Sequence, residues 1–171
     1  HRKFTLRLLN AEYRVAWPEY AITADREDAF ALTNLPCQTF LLRYLLEGKQ
    51  AALSLGYKTF REMPWGELYI TPYTGRCLTR AAFTFGTQVS AFAAACERMG
   101  GEKLSHGDAG YGFAFLGGYR MQIMIYAGDE EFPPSSQILY SDNFADGFSA
   151  EDRVVAGDIL ISAIRQEMKR K

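Results

Sequence analysis

The sequence predicts an α+β domain: an antiparallel or mixed sheet built from two hairpins, with about four helices packed largely on one face. Three observations predict it. Period-two apolar runs flank a short polar turn near the N-terminus, a second pair flanks Gly117-Gly118, and stripes at helical spacing fall in separate runs between and after them. All 171 residues read as one domain, with no repeat, low-complexity tract or interior linker.

The first run alternates Phe4, Leu6 and Leu8 with Thr5 and Arg7; the second alternates Tyr13, Val15 and Trp17 with Arg14 and Ala16. Asn10-Ala11-Glu12 lies between them, which reads as a hairpin turn, and Pro18 ends the second strand. Asp25 to Asp28 reads as a loop. Asn34 then caps a helix with Pro36 in its first turn, an apolar stripe at Cys37, Leu41, Tyr44 and Leu45, and Gly48 as its stop. Residues 54–75 carry Gly56, Pro64, Gly66, Pro72 and Gly75 and read as a long irregular loop with very short strands. A short helix over Cys77 to Phe85 follows, stopped by Gly86. Thr87 caps a clearer helix whose stripe is Val89, Phe92, Ala93, Cys96 and Met99, ended by Gly100-Gly101.

Tyr111 to Leu116 and Tyr119 to Tyr126 form the second hairpin, joined by a glycine pair of which both members are expected at positive φ. Both faces of the second run are mostly apolar, so it belongs inside the sheet. Ile138-Leu139-Tyr140 adds a short strand. Ser149 and Asp152 open a capping-box-like helix with the stripe Val154, Gly157, Ile161, Ile164 and Met168, and Lys169-Arg170-Lys171 complements its dipole.

Composition narrows the function classes. The chain is 48% hydrophobic and has 19 basic against 20 acidic residues, a net charge of −1, so it lacks the basic excess of a nucleic-acid binder. The halves differ: residues 1–80 carry 11 basic and 8 acidic side chains, residues 81–171 carry 8 and 12. No apolar run approaches the ~18 residues that span a bilayer. Cys37, Cys77 and Cys96 are odd in number and match no metal or redox spacing, which suits a reducing cytoplasm and reads as three small buried hydrophobes. With one internal histidine, His106 in Ser105-His-Gly-Asp108, no zinc or iron–sulfur site is expected from this chain alone. That turn could supply a Ser/His/Asp catalyst or simply open the hairpin. No dinucleotide fingerprint, phosphate-binding P-loop or nucleophile elbow is present.

Two segments are candidate ligand sites. From Met121 to Asp152 there are seven acidic residues and no basic one, centred on Asp129, Glu130, Glu131 and Phe132 with Pro133-Pro134. Clustered carboxylates hold a divalent ion, bind a cationic group or raise one another's pKa, and Asp129, Glu131 and Asp142 are the candidate metal set. The same residues also read as a solvated acidic turn or a partner surface. Arg61, Glu62 and Trp65 are the second candidate: a flat cation, a carboxylate and a ring suit a small polar ligand, or pin a loop through an Arg–Glu pair and a buried tryptophan.

Several segments resemble one family, the prokaryotic domain of unknown function 3786. The likeness runs through Phe40-Leu-Leu-Arg-Tyr-Leu-Leu46, Phe60-Arg-Glu-Met-Pro64, Gly66-Glu-Leu-Tyr69, Phe85-Gly86, Phe92 with Gly100-Gly101, Gly128-Asp-Glu-Glu-Phe132 with Ile138-Leu-Tyr140, and Glu151-Asp152. Gly-Asp-Glu-Glu-Phe-Pro is the most specific of these. The resemblance implies no defined activity; it implies a setting in anaerobic bacteria and archaea, near redox or corrinoid metabolism, with an iron–sulfur or corrinoid protein as a partner.

The expectation is therefore a cytoplasmic domain that binds a small ligand, or serves as an accessory, with a pocket between the Arg61–Trp65 loop and the Asp129–Glu131 segment. Two other classes compete with it. One is a metal-assisted hydrolase or transferase using Asp129, Glu131 and Asp142, which requires at least two of those carboxylates to meet in a cleft. The other is a protein–protein interaction module, which requires an exposed aromatic patch.

Overall fold

The computed structural model describes residues 2–47 and 49–170. Gly48, the predicted helix stop, and Lys171, the last residue of the basic end, lie outside the described residues, as does His1.

Among the described residues eight strands form one antiparallel sheet: β1 (Arg2–Leu8), β2 (Ala11–Trp17), β3 (Ile22–Ala24), β4 (Tyr57–Thr59), β5 (Glu102–Lys103), β6 (Ala109–Leu116), β7 (Tyr119–Tyr126) and β8 (Ser135–Ser141). Their order is β3-β2-β1-β6-β7-β8-β4, with β5 beside the first half of β6. Both predicted hairpins form, and β7 lies inside the sheet between β6 and β8. The first turn is tighter than predicted. Leu8 pairs with Ala11, so only Leu9 and Asn10 make the turn, with Leu9 at φ 51°, and Ala11 and Glu12 already belong to β2. In the second turn only Gly117 takes a positive φ, 55°. A register break between Ala114 and Leu116 lets Phe115 and Leu116 both be buried.

Alternation along the strands puts Leu6, Tyr13, Val15, Tyr111, Phe113, Met121, Ile123, Ile138 and Tyr140 on one buried face. The helices pack on it: α1 (Leu35–Leu46), α2 (Gly66–Tyr73), α3 (Arg80–Phe85), α4 (Val89–Arg98), the single turn α5 (Phe144–Gly147) and α6 (Ala150–Met168). Ring contacts mark the layer, with Phe40 on α1 5.8 Å from Phe115, Phe92 on α4 6.1 Å from Tyr111, and Phe144 on α5 5.1 Å from Tyr140.

The predicted caps are largely present. Asn34 Oδ1 accepts the Cys37 N–H at 2.9 Å. Ser149 and Asp152 form a full capping box, each side chain accepting the other's backbone N–H. Helix α4 starts one residue later than expected, with Gln88 rather than Thr87 at its N-cap. Helix α6 buries more than a stripe: Ala156, Ile159, Leu160 and Ala163 are buried beside Val154, Gly157, Ile161 and Ile164, as for a helix at the centre of the core.

The main departure is the reading of residues 54–75 as a loop. Irregular chain and β4 occupy only its first part; from Gly66 the backbone is helical through Phe85, as α2, a π-helical stretch Thr74–Thr79, and α3. The predicted Cys77 to Phe85 helix is the end of this longer one. Its buried stripe, Tyr73, Cys77, Ala81 and Phe85, repeats every four residues. That repeat drifts around an ordinary 3.6-residue turn, and a widened π turn partly absorbs the drift. Pro72 lies inside α2, where it lacks the N–H for the i−4 bond, and the wide turn follows directly.

Candidate ligand cleft

The two predicted site segments line separate hollows rather than one pocket. In the acidic turn Asp129 Oδ1 accepts the backbone N–H groups of Glu131 and Phe132, each at 2.8 Å. These bonds, Phe132 first, hold its carboxyl below the usual range. Glu130, Glu131 and Phe132 point into solvent, and the segment lines an open hollow of about 420 Å³ with Gly86 and Thr87. In the other loop Glu62 accepts the Thr59 N–H at 2.7 Å, and Arg61 pairs with Glu67 at 3.3 Å, not with Glu62. Trp65 is 69% exposed at φ 64°, so it neither pins the loop in the core nor lines a deep pocket. Arg61 lines a separate hollow of about 280 Å³ with Phe60, Tyr73 and Gln137.

The candidate metal set is divided as well. Asp129 and Glu131 precede β8 and Asp142 follows it, so a seven-residue strand, roughly 20 Å, separates them. Among the described residues no group of three His, Cys, Asp or Glu side chains is arranged to hold a metal ion.

Asp142 instead belongs to a cleft of about 810 Å³ at the C-terminal end of β8, between α5 and the irregular strap 49–55 that follows α1. The strap is tied down through polar groups. Lys49 Nζ donates to the Gly147 carbonyl at 2.6 Å, pairs with Glu47 at 3.0 Å, and lies 5.3 Å from the Phe148 ring centre. Lys49 and then Arg43 hold the Glu47 carboxyl below its ordinary pKa. Ser54 Oγ donates to Asp142 Oδ1, and the Asp142 N–H donates to the Gly56 carbonyl at 3.0 Å. Asn143 Nδ2 donates to the carbonyls of Ala52 and Gly118, both at 2.9 Å, while its Oδ1 accepts from Ser141 Oγ at 2.5 Å. One amide side chain thus joins the strap, the Gly117-Gly118 turn and the end of β8.

Close approach shapes the floor. A Cβ on Gly147 would stand 1.9 Å from the Tyr119 hydroxyl, and one on Gly118 would stand 2.4 Å from the Ala51 carbonyl. Burial, then Tyr44 and Asp146, push the Tyr119 phenol pKa up, so it stays protonated. The charged groups of the wall are Glu47, Lys49, Lys58, Asp142 and Asp146. Lys49 and Glu47 satisfy each other; Asp146 and Lys58 have no hydrogen-bond or ion-pair partner among the described residues.

Residues 49–54 escape a reading of the sequence because their partners, 88 to 98 positions away, obey no spacing rule. Arg153 escapes it too. It is 1% exposed, donates Nη1 to the Phe148 carbonyl at 2.8 Å and Nη2 to the Pro64 carbonyl, and packs its guanidinium 5.5 Å from the Phe60 ring. All three cysteines are free and fully buried, and desolvation pushes the thiols of Cys37 and Cys77 up to about 12 and that of Cys96 higher still. Asp108 accepts the Ala127 N–H at 2.7 Å, so the His106 turn braces the strand ends around it.

The family model described as "Domain of unknown function (DUF3786)" matches residues 1–163. The chain belongs to this family. No curated protein and no solved structure matches this DUF3786 chain. The most specific of the segments that carry the resemblance, Gly128 to Pro133, is the self-contained acidic turn, whereas Asp142 and Asn143, which bound the cleft, lie outside those segments.

Proposed function

We propose that this DUF3786 protein is a small-ligand-binding domain whose ligand, a small polar molecule carrying an amino group, enters the cleft between the strap and α5. The observation that supports it is the Asp146 carboxylate, without a partner among the described residues and one helical turn from Asp142, in a concave site where the cation Lys49 is already paired with Glu47. A ligand ammonium between Asp142 and Asp146 gains charge-assisted hydrogen bonds, and the exposed Lys58 is free to meet an acidic group on the same molecule. Three free, buried cysteines support a cytoplasmic setting. Among the described residues no helix is long and apolar enough to cross a membrane.

A thermal-shift panel of putrescine, L-lysine, magnesium, ATP and cobalamin tests this. At about 100-fold excess over Kd an amine raises Tm by about 7 °C, and Asp146→Asn removes the rise. A rise with ATP or cobalamin alone contradicts the reading.

A second reading, a docking module for an iron–sulfur or corrinoid protein, is favoured by one surface. Leu68, Tyr69 and Pro72 share the outer face of α2 at helical spacing, Trp65 stands at its N-cap, and all four are exposed. Its test is the double variant Trp65→Ser, Leu68→Ser, which keeps amine binding and loses co-purification of a metalloprotein from an anaerobic host.

A further inference from the structure

A second concave site lies at the far end of the first hairpin, where the sheet extends past α1. It has a volume of about 450 Å³ and is walled by Phe4, Trp17 and Tyr20 on one side and by Leu42, Leu45 and Leu46 of α1 on the other. Its rings are not core residues: Phe4 is 44% exposed, Trp17 42% and Tyr20 39%. The Trp17 and Tyr20 rings stand at 82° with centroids 5.1 Å apart, so the edge of one rests on the face of the other and the pair forms a right-angled aromatic wall. Arg2 lies directly opposite Trp17 in the strand register, on the same sheet face. It is the one charged side chain among the described residues lining this site, and it has no carboxylate partner there. Gln50, on the strap, supplies an amide at the rim.

We infer that this site binds a small aromatic carboxylate. The charge and shape of the lining support that class. An aromatic body lies between the Trp17–Tyr20 ring pair and the leucines of α1, where burial of apolar area supplies the affinity. A carboxylate at the end of that body meets the guanidinium of Arg2, a planar donor suited to bidentate pairing, with no competing acid in the wall. A cationic ligand would bring like charge to Arg2, and a purely apolar one would leave that donor unused. The site shares only Gln50 of the strap with the cleft at α5; Trp17, Tyr20 and Arg2 do not line that cleft.

The probe is 3-phenylpropionate, with 3-phenylpropionamide as its neutral counterpart, titrated against Trp17 fluorescence in a Trp65→Phe background. The acid is expected to change the emission saturably at millimolar concentration or below and to bind about tenfold tighter than the amide, the worth of one charge-assisted hydrogen bond. Arg2→Gln, at an exposed position, removes that preference and leaves amide binding unchanged. Equal affinity for acid and amide overturns the inference, as does an acid preference that survives Arg2→Gln. A Trp17 response to phosphatidylglycerol vesicles with none to 3-phenylpropionate also overturns it, and assigns the aromatic wall to a lipid surface.

Discussion

Two acidic turns flank strand β8, and they behave oppositely. The one before it, Asp129 to Phe132, is closed on itself: Asp129 spends an oxygen on its own loop's N–H groups, and the neighbouring side chains fan into solvent. The one after it, Asp142 to Gly147, reaches across the molecule to Ser54, Gly56, Ala52, Lys49 and Gly118. Density of carboxylates in a sequence is therefore a poor guide to a site. What distinguishes the second turn is long-range polar contact around a concavity, which leaves one carboxylate, Asp146, without a partner among the described residues.

Substitutions sharpen the contrast. Asn143→Ala should have the largest effect, about 3 kcal/mol by chemical denaturation, because it removes three hydrogen bonds and leaves the Ala52 and Gly118 carbonyls unpaired. Gly147→Ala drives a methyl group against the buried Tyr119 hydroxyl and should cost about 2 kcal/mol, with the cleft floor displaced. Ser54→Ala should cost about 1 kcal/mol and speed amide exchange in residues 49–55, since it unties the strap from Asp142. Asp129→Asn is expected to have the smallest effect. The folded Asp129 carboxyl lies below its unfolded value, so its contribution is present above the unfolded pKa and lost as pH falls through the folded one. Being fully exposed, it should change urea midpoints only slightly at neutral pH, and that slight difference should vanish in acid. A large loss of stability in Asp129→Asn with none in Asn143→Ala would reverse the comparison.

Much of the fold was legible in local patterns. The hairpins followed from alternation, α1 from Asn34 and Pro36, and α6 from the Ser149–Asp152 capping box. The helix from Gly66 was not, because Pro72 and Gly75 carry the signature of a loop and the four-residue stripe of Tyr73, Cys77, Ala81 and Phe85 belongs to a helix with a π turn. The short strand β3 is too brief to alternate visibly. The acidic turn was legible as a cluster, but its self-satisfied geometry was not. The cleft was hardly legible at all: Asp142 was singled out for a metal shared with Asp129 and Glu131, while its actual partners sit some 88 residues earlier in a strap without periodicity. Arg153 carries no local sequence signal, and only tertiary packing shows it buried and bonded to the Pro64 and Phe148 carbonyls.

The most direct test of the cleft as the functional site is a putrescine and L-lysine titration of the ¹⁵N-labelled protein followed by amide chemical shifts. The account predicts saturable shifts confined to residues 49–58 and 141–147, lost in Asp146→Asn, with residues 128–134 and 60–66 unmoved. Saturable shifts centred on Asp129 to Phe132 or on Arg61 to Trp65, with the cleft silent, would contradict it.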